Sequence, residues 1–482
     1  RHLYVRKIYL LKNFEMSFFI KSQGKAASKK KVLKNRKSDN SREKVQATKK
    51  KRKLPKDEEI PSDSDFESGD EGVPSVHSES EEETTQEKRL RLTKQYLADL
   101  EKEEREKQDD NDVDREVISH ILEQDHLEQT GKLWKQIADT YIAPSPDDVI
   151  VLRGHQLAVT CVVISTDCKH IFSASKDCSI IKWDVKTRKK LKVIHGGRKG
   201  TETKHKGHTA HILALALSSD GKFLASGDAN RLIHIWNPET CELIHTFTGH
   251  RGPVTGLAFR KGTHQLFSCS QDRSVKIWSV AEMAYVETLL GHQDQITCID
   301  SLSRDRAVTS GGRDGSVRIW KVVEESQLVF HGHKGCIDCV SLINEEHFVT
   351  GAEDNSLALW GVLKKKPLAM VQNAHDGSLS DNAAGTEQEN WITSVASHQT
   401  TDLIASGSKD GCIKFWKCAQ DFKSLQPLFS LPVAGFINSL AFSTDGSLLV
   451  AGVGQEHRMG RWWRIKESKN SICIINMKRT DT

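Results

Sequence analysis

A repeat constrains this chain more than any other feature. Gly-His occurs at 154–155, 207–208, 249–250, 291–292 and 332–333, and Ala374-His375 is a degenerate sixth copy. Trp recurs at Trp183, Trp236, Trp278, Trp320, Trp360, Trp416 and Trp463. His to Trp spans 28 positions in four copies and 27 in the fifth. Asp stands six positions before Trp at Asp177, Asp272, Asp314, Asp354 and Asp410, and Asn230 takes the place in the second copy. A period near forty residues signifies a solenoid, a propeller or an array, because one such unit cannot bury its apolar face alone. Segments such as Ser179-Ile-Ile-Lys-Trp183 and Ser274-Val-Lys-Ile-Trp278 have the length and β-branched content of strands. Seven copies of four short strands close into a ring that leaves only short sheet edges.

The pattern resembles that of WD-repeat β-propellers over residues 148–477. It predicts an all-β fold, a seven-bladed WD-repeat β-propeller preceded by a disordered charged tail and a short helical segment. The seventh copy departs from the pattern. Gly435-Phe436 replaces Gly-His, Gly454 to Gly460 replaces the Asp turn, and Trp463 is assigned the repeat's Trp position. Ring closure has two candidates, Val149–Leu152 and Ser471–Ile475, one of which would be an additional strand. The resemblance implies a polar network in each blade, built from the loop His, a strand Ser or Thr, the turn Asp and the Trp. Its members would be His155, Ser175, Asp177 and Trp183, with Asp272 and Trp278, Asp314 and Trp320, Asp354 and Trp360, and Asp410 and Trp416 in later blades. A reader hunting catalytic triads would stop at His, Ser and Asp. Their recurrence argues against it, since a reaction needs its site once and a blade network is needed in every blade. The chain carries no P-loop, HExxH or dinucleotide fingerprint. We expect no enzyme, no cofactor and no metal site. The eleven Cys are expected to be reduced thiols, and Cys336-Ile-Asp-Cys339 reads as part of a strand.

Upstream of the repeat the charge is segregated. Lys21 to Lys56 holds sixteen Lys and Arg against two acids, and Asp57 to Glu83 holds twelve acids with no Lys or Arg. Residues 21–83 are too charged and too poor in apolar groups to bury a core. The run Lys49, Lys50, Lys51, Arg52 and Lys53 suits the acidic groove of a nuclear import receptor, which predicts a nuclear protein. Serines followed by acids, as at Ser62 and Ser78, suit an acid-directed kinase. Residues 84–142 read as helical, with Leu90, Leu97 and Leu100 on one stripe and Leu133, Trp134, Ile137 and Tyr141 on another. Residues 143–147 form a linker that ends the helix, and 478–482 a short tail. Residues 1–20 are left unassigned. The chain begins with Arg1 and its first Met is Met16, so 1–15 are expected to lie outside the native reading frame, or the sequence to be a fragment. No stretch is long and apolar enough for a transmembrane helix, so no membrane partner is expected.

Cations recur beside the turn that carries Asp: Lys176, Arg231, Arg273, Arg313 and Lys409, with Arg458 in the aberrant seventh turn. Arg153, Arg251 and Lys334 follow or flank the Gly-His loops. Arg198, Lys199, Lys204 and Lys206 lie in the long loop between blades one and two. By propeller geometry these loops share one face, and a basic face suits nucleic-acid phosphates. The seventh blade adds His457, Arg461 and Trp462. Arg pairs with phosphate or a guanine edge, and Trp or His stacks on an unpaired base.

Four segments carry a closer resemblance: Thr85-Gln-Glu-Lys-Arg-Leu-Arg-Leu92, Lys176-Asp-Cys-Ser-Ile-Ile-Lys-Trp183, Phe247-Thr-Gly-His-Arg251 with Gly262-Thr-His-Gln-Leu266, and Gly454-Gln-Glu-His-Arg-Met-Gly-Arg-Trp-Trp-Arg464. These are similar to WD-repeat subunits of U3 small nucleolar ribonucleoproteins, from about residue 25 to the end. The resemblance implies binding to the box B/C region of U3 small nucleolar RNA, jointly with a small kink-turn-binding protein and other proteins of the particle. It implies a nucleolar role in processing pre-ribosomal RNA for the small subunit. A protein-only scaffold is the rival reading.

Overall fold

The computed structural model describes residues 133–197, 200, 205–375 and 390–480, with scattered helical positions between 90 and 127. The expectations for residues 1–20 and for the charged tail 21–83, Lys49–Lys53 included, lie outside the described residues, as do Arg198 and Lys199. Among the described residues, twenty-eight strands form seven four-stranded antiparallel sheets. The first strands of successive sheets are Val159–Ile164, Ile212–Leu217, Val254–Phe259, Ile296–Asp300, Ile337–Leu342, Ser394–Ser397 and Phe436–Phe442. Each contacts the next, and the seventh contacts the first, so the ring is closed. The expected seven-bladed propeller is what forms.

Burial explains the strand composition. Inner and middle strands are enclosed between neighbouring sheets, as Val254–Phe259 is throughout, whereas outer strands such as Lys190–Ile194 keep one edge in water. The core therefore lies between blades. Phe172, Ala174 and Ile180 of blade one pack on Ile212, Leu215, Leu224 and Trp236 of blade two. A Thr on the inner strand stitches four of these junctions by donating to a carbonyl of the following blade. Thr160 reaches Ile212 at 2.7 Å, and Thr255, Thr297 and Thr393 reach Ile296, Ile337 and Ile437, each at 2.6 Å.

Closure uses both candidate strands. Ser471–Asn476 is the third strand of blade seven, and Val149–Leu152 pairs with it as the fourth. Neither is additional. This corrects the place given to Trp463. In blade one Ile171 pairs with Trp183, and the equivalent pair in blade seven is Leu449 with Ile475. Ile475 thus fills the repeat's Trp position. Trp463 lies earlier, in an insertion between Gly454 and Ser471, and is 46% exposed.

The expected helix does not extend to residue 142. Helical positions occur at 90–98 and 119–127, but residues 133–142 run as a strap across the propeller face opposite the Gly-His loops. The Trp134 ring sits 4.3 Å from that of Phe422. Asp402 Oδ1 accepts from the amides of Ile137 and Ala138 at 2.8 and 3.0 Å, and the Tyr141 hydroxyl donates to Gly446 O at 3.0 Å. Only Ala138–Thr140 and Pro146–Asp148 turn helically, as 3-10 turns. Tertiary contacts of the apolar stripe outweigh local helix propensity here.

Candidate nucleic-acid interface

The blade networks form, with two members displaced. In blade three, His250 Nδ1 bonds Asp272 at 3.0 Å and Nε2 bonds Ser268 Oγ at 2.7 Å, while Trp278 Nε1 donates to the same hydroxyl at 2.8 Å. Blade four repeats this with His292, Asp314, Thr309 and Trp320. Blade six repeats it with His375, Asp410, Ser406 and Trp416. In blade five His333 bonds Ser356 and Thr350, with Asp354 farther away at 3.8 Å. In blade one the hydroxyl shared by His155 and Trp183 belongs to Ser173. Ser175, named from the sequence, instead donates to Leu157 O and accepts from the Asp177 amide. Both side chains project from the same face of one strand, so residue spacing does not separate them. In blade two, Asp228 bonds His208 at 3.0 Å. Asn230 holds the turn position but bonds only Thr209 Oγ1, at 2.9 Å.

The Asp272 and Asp314 carboxyls are held below the ordinary carboxylate range. Burial alone would raise Asp272 and Asp314, but hydrogen bonds from His250 and His292, with others from Ser274 and the Ser316 amide, outweigh it. Asp314 is lowered to about 2, and Asp272 further in the same direction.

The Asp turns and Gly-His loops do share one face, and the blade-seven insertion lies on it. Arg231, Arg251, Arg273 and Arg313 are exposed there. Lys176 is not a surface cation. It is 4% exposed, and its Nζ donates to His457 O at 2.6 Å and Gly460 O at 3.1 Å, with the Glu456 carboxylate at 3.6 Å. Burial lowers its pKa and Glu456 opposes the shift. Arg458 points into the central channel, where Nη2 donates to Thr297 O at 3.0 Å and Asp338 O at 2.9 Å, on blades four and five. His457 is buried, and that burial, followed by the charges of Arg458 and Lys176, lowers it to about 3, leaving a neutral imidazole. None of these three side chains lies open on the face.

Arg461 and Trp462 do. Trp462 is 68% exposed. Arg461 Nε sits 3.2 Å from Glu456, so Lys176 and Arg461 share one carboxylate across the insertion. Gly460 lies so close beneath Trp462 that an added Cβ would run into the indole. Lys409 Nζ lies 4.6 Å from the centre of the exposed Trp463 ring, a cation–π pair from blade six. Two solvent-facing indoles flanked by Arg461, Lys409 and Arg464 thus occupy one insertion. Residue spacing alone does not reveal Trp463 as a surface residue, Glu456 as the shared anchor or the channel contacts of Arg458. Among the described residues, no group of His, Cys, Asp and Glu could hold a metal ion, and no helix is long and apolar enough to cross a membrane. Cys339 lies buried in a strand, with Cys336 immediately before it, and every described Cys is free.

The WD domain, G-beta repeat family matches residues 147–184, 200–237, 241–279, 283–321, 324–361 and 384–417. These take in the six blades that carry the network; the first three strands of blade seven, from Phe436 to Asn476, are outside the match. The chain is 58% identical to U3 small nucleolar RNA-interacting protein 2 of Mus musculus over 398 residues, 83% of each protein. It is 27% identical over 531 residues to Ribosomal RNA-processing protein 9 of Saccharomyces cerevisiae, covering 86% of this chain and 92% of the yeast protein. The crystal structure of the RRP9 WD40 repeats superposes with a TM-score of 0.67 at 57% identity, over 70% of this chain and all of that one. With its ring closed by an N-terminal strand and its seventh blade set apart, the chain belongs to the family of U3 small nucleolar RNA-interacting WD-repeat proteins.

Proposed function

We propose that this protein is the WD-repeat component of a U3 small nucleolar ribonucleoprotein and acts in pre-ribosomal RNA processing for the small subunit. It binds and positions RNA and performs no reaction of its own. Its ligand is the box B/C region of U3 small nucleolar RNA, held jointly with a small kink-turn-binding protein. It works in the nucleolus, and Lys49–Lys53 bring it there through an import receptor. The observation that carries the reading is the exposed pair Trp462 and Arg461, held by a buried Lys176–Glu456 anchor. Leaving two indoles in water forgoes hydrophobic stabilisation, and stacking on unpaired bases recovers it. Arg231, Arg251, Arg273 and Arg313, with Arg198, Lys199 and Lys409, supply contacts to phosphates. Lys176, His457 and Arg458 serve the RNA indirectly, by fixing the insertion.

Binding of the box B/C RNA and of a scrambled RNA, measured at several salt concentrations, tests this. Replacing Arg461 and Trp462 together with Ala weakens the cognate RNA by about 1–3 kcal/mol per specific contact and the scrambled RNA less. Replacing Arg273 and Arg313 weakens both alike and reduces the salt slope. A wild-type protein that binds neither RNA with steep salt dependence is a protein-only scaffold, and the reading fails.

A further inference from the structure

The same face carries a second feature, at blade two. A cleft of about 700 Å3 opens there, lined by Lys206, Thr209, Asn230, Arg231, His234 and Leu243, among others. Among the described residues, no carboxylate lines it. That absence has a structural origin. Where the other five networked blades place Asp in the turn, blade two has Asn230, and its carboxylate sits two residues earlier as Asp228. Asp228 is fully buried, held by His208 and the Leu232 amide. Arg273, in the matching position of blade three, stands beside the turn carboxylate of Asp272, whereas Arg231 has an amide as its neighbour. Arg231 also takes a φ of +72°, where Gly315 and Gly411 stand in blades four and six, so a cationic side chain is kept at a position that favours glycine. The His234 imidazole is neutral, because burial and then His208 lower it to about 3.

We infer that this cleft is a second RNA subsite that takes one unpaired nucleotide, with its phosphate between Lys206 and Arg231 and its base against Leu243 and His234. The inference rests on the reading of this face as RNA-binding. Moving the carboxylate out of the turn removes the charge that would repel a phosphate, while the network it serves stays satisfied. The cleft has the size range and the mixed apolar and polar lining of a small-ligand site. Asn230 and Thr209, at its rim, provide hydrogen-bonding groups for a base edge.

The test uses the full chain and a single-stranded hexauridylate carrying one 4-thiouridine, crosslinked by light and mapped to peptides. Crosslinks are expected within residues 205–243. Asn230→Asp restores the turn carboxylate with no change of shape and lowers that crosslink yield about tenfold by repelling the phosphate, as does Arg231→Glu by removing one phosphate contact. Both variants keep the wild-type melting temperature. Crosslinks that map elsewhere, or yields unchanged in both variants, overturn the proposal. Box B/C RNA binding, measured in parallel, reports on the face as a whole. Loss of that binding with the cleft still labelled overturns the ribonucleoprotein reading and leaves the cleft. Intact box B/C binding with no label at 205–243 overturns the cleft alone.

Discussion

Exchanging Asp228, Asp272 and Asn230 for Ala in turn separates network position from turn position. Asp272 accepts from four donors: His250 Nδ1 at 3.0 Å, the Arg251 amide at 2.7 Å, the Ser274 amide at 3.0 Å and Ser274 Oγ at 2.5 Å. Truncation leaves the wholly buried imidazole N–H with only a long 3.4 Å contact to Ser274 Oγ, while the Arg251 amide at the exposed rim rehydrates. One buried unsatisfied donor costs about 1–3 kcal/mol. For a domain of this size that lowers the melting temperature by roughly 2–6 °C. Asp228→Ala carries the same cost, since it strands the buried His208 imidazole beside a carboxyl with no exposure at all, along with the partly buried Leu232 amide. Asn230→Ala removes one exposed bond to Thr209 and stays within about 0.5 kcal/mol of wild type. Urea unfolding followed by circular dichroism gives the three values. Equal losses for Asp228 and Asn230, or an unchanged midpoint for Asp228→Ala, would refute the assignment of the network.

Stability should fall steeply in acid. The folded-state pKa values of Asp177, Asp272, Asp314 and Asp354 are depressed, so their contribution is complete above the ordinary carboxylate value of about 4 and is lost as pH falls through about 2 and below; melting curves from pH 7 to 2 test the window, and a flat profile rejects it. Lys176→Met should leave the propeller folded yet weaken box B/C RNA binding, because Glu456 and the carbonyls of His457 and Gly460 lose their common donor; RNA affinity and indole fluorescence read the two effects, and unchanged affinity removes Lys176 as an anchor. Deleting Lys49–Lys53 should slow nuclear entry with no change in the melting temperature of the purified protein, and imaging of a tagged variant decides it.

The ring was legible because its chemistry is periodic. His, Asp and Trp must stand at fixed distances if one hydroxyl is to join them, so six blades announce themselves by residue spacing. The misreadings share a cause. Asp228 ends its strand, and Asn230 stands two residues on, in the turn. Ser173 and Ser175 lie on one face of a strand. A period-two element lets either candidate point inward, and only three-dimensional contacts choose. Trp463 matches the repeat by residue type alone, in a blade that lacks the His and the turn Asp. The helical reading of 133–142 followed an apolar stripe whose partners, Phe422 and Asp402, are remote in the chain.

Loss of periodicity in blade seven is where structure and function meet. With no His–Asp–Trp network of its own, this blade sends its polar bonds to other blades. Asn438 Nδ2 donates to Val159 O of blade one at 2.9 Å and to Glu456 O at 3.0 Å, and its Oδ1 accepts from the Arg458 amide at 3.0 Å. Lys176 of blade one clamps the insertion from one side, and Arg458 ties it across the channel to blades four and five. An insertion held at that many distant points is pre-organised, so under the proposed function less side-chain entropy would be lost when Arg461 and Trp462 meet RNA. The segment between Gly454 and Ser471 joins the second and third strands of its sheet, in the place the Asp turn takes in other blades, and is not itself a strand of the ring. On the proposed reading it carries residues suited to a partner and not to packing, which would account for two exposed indoles in a fold whose other blade tryptophans are buried.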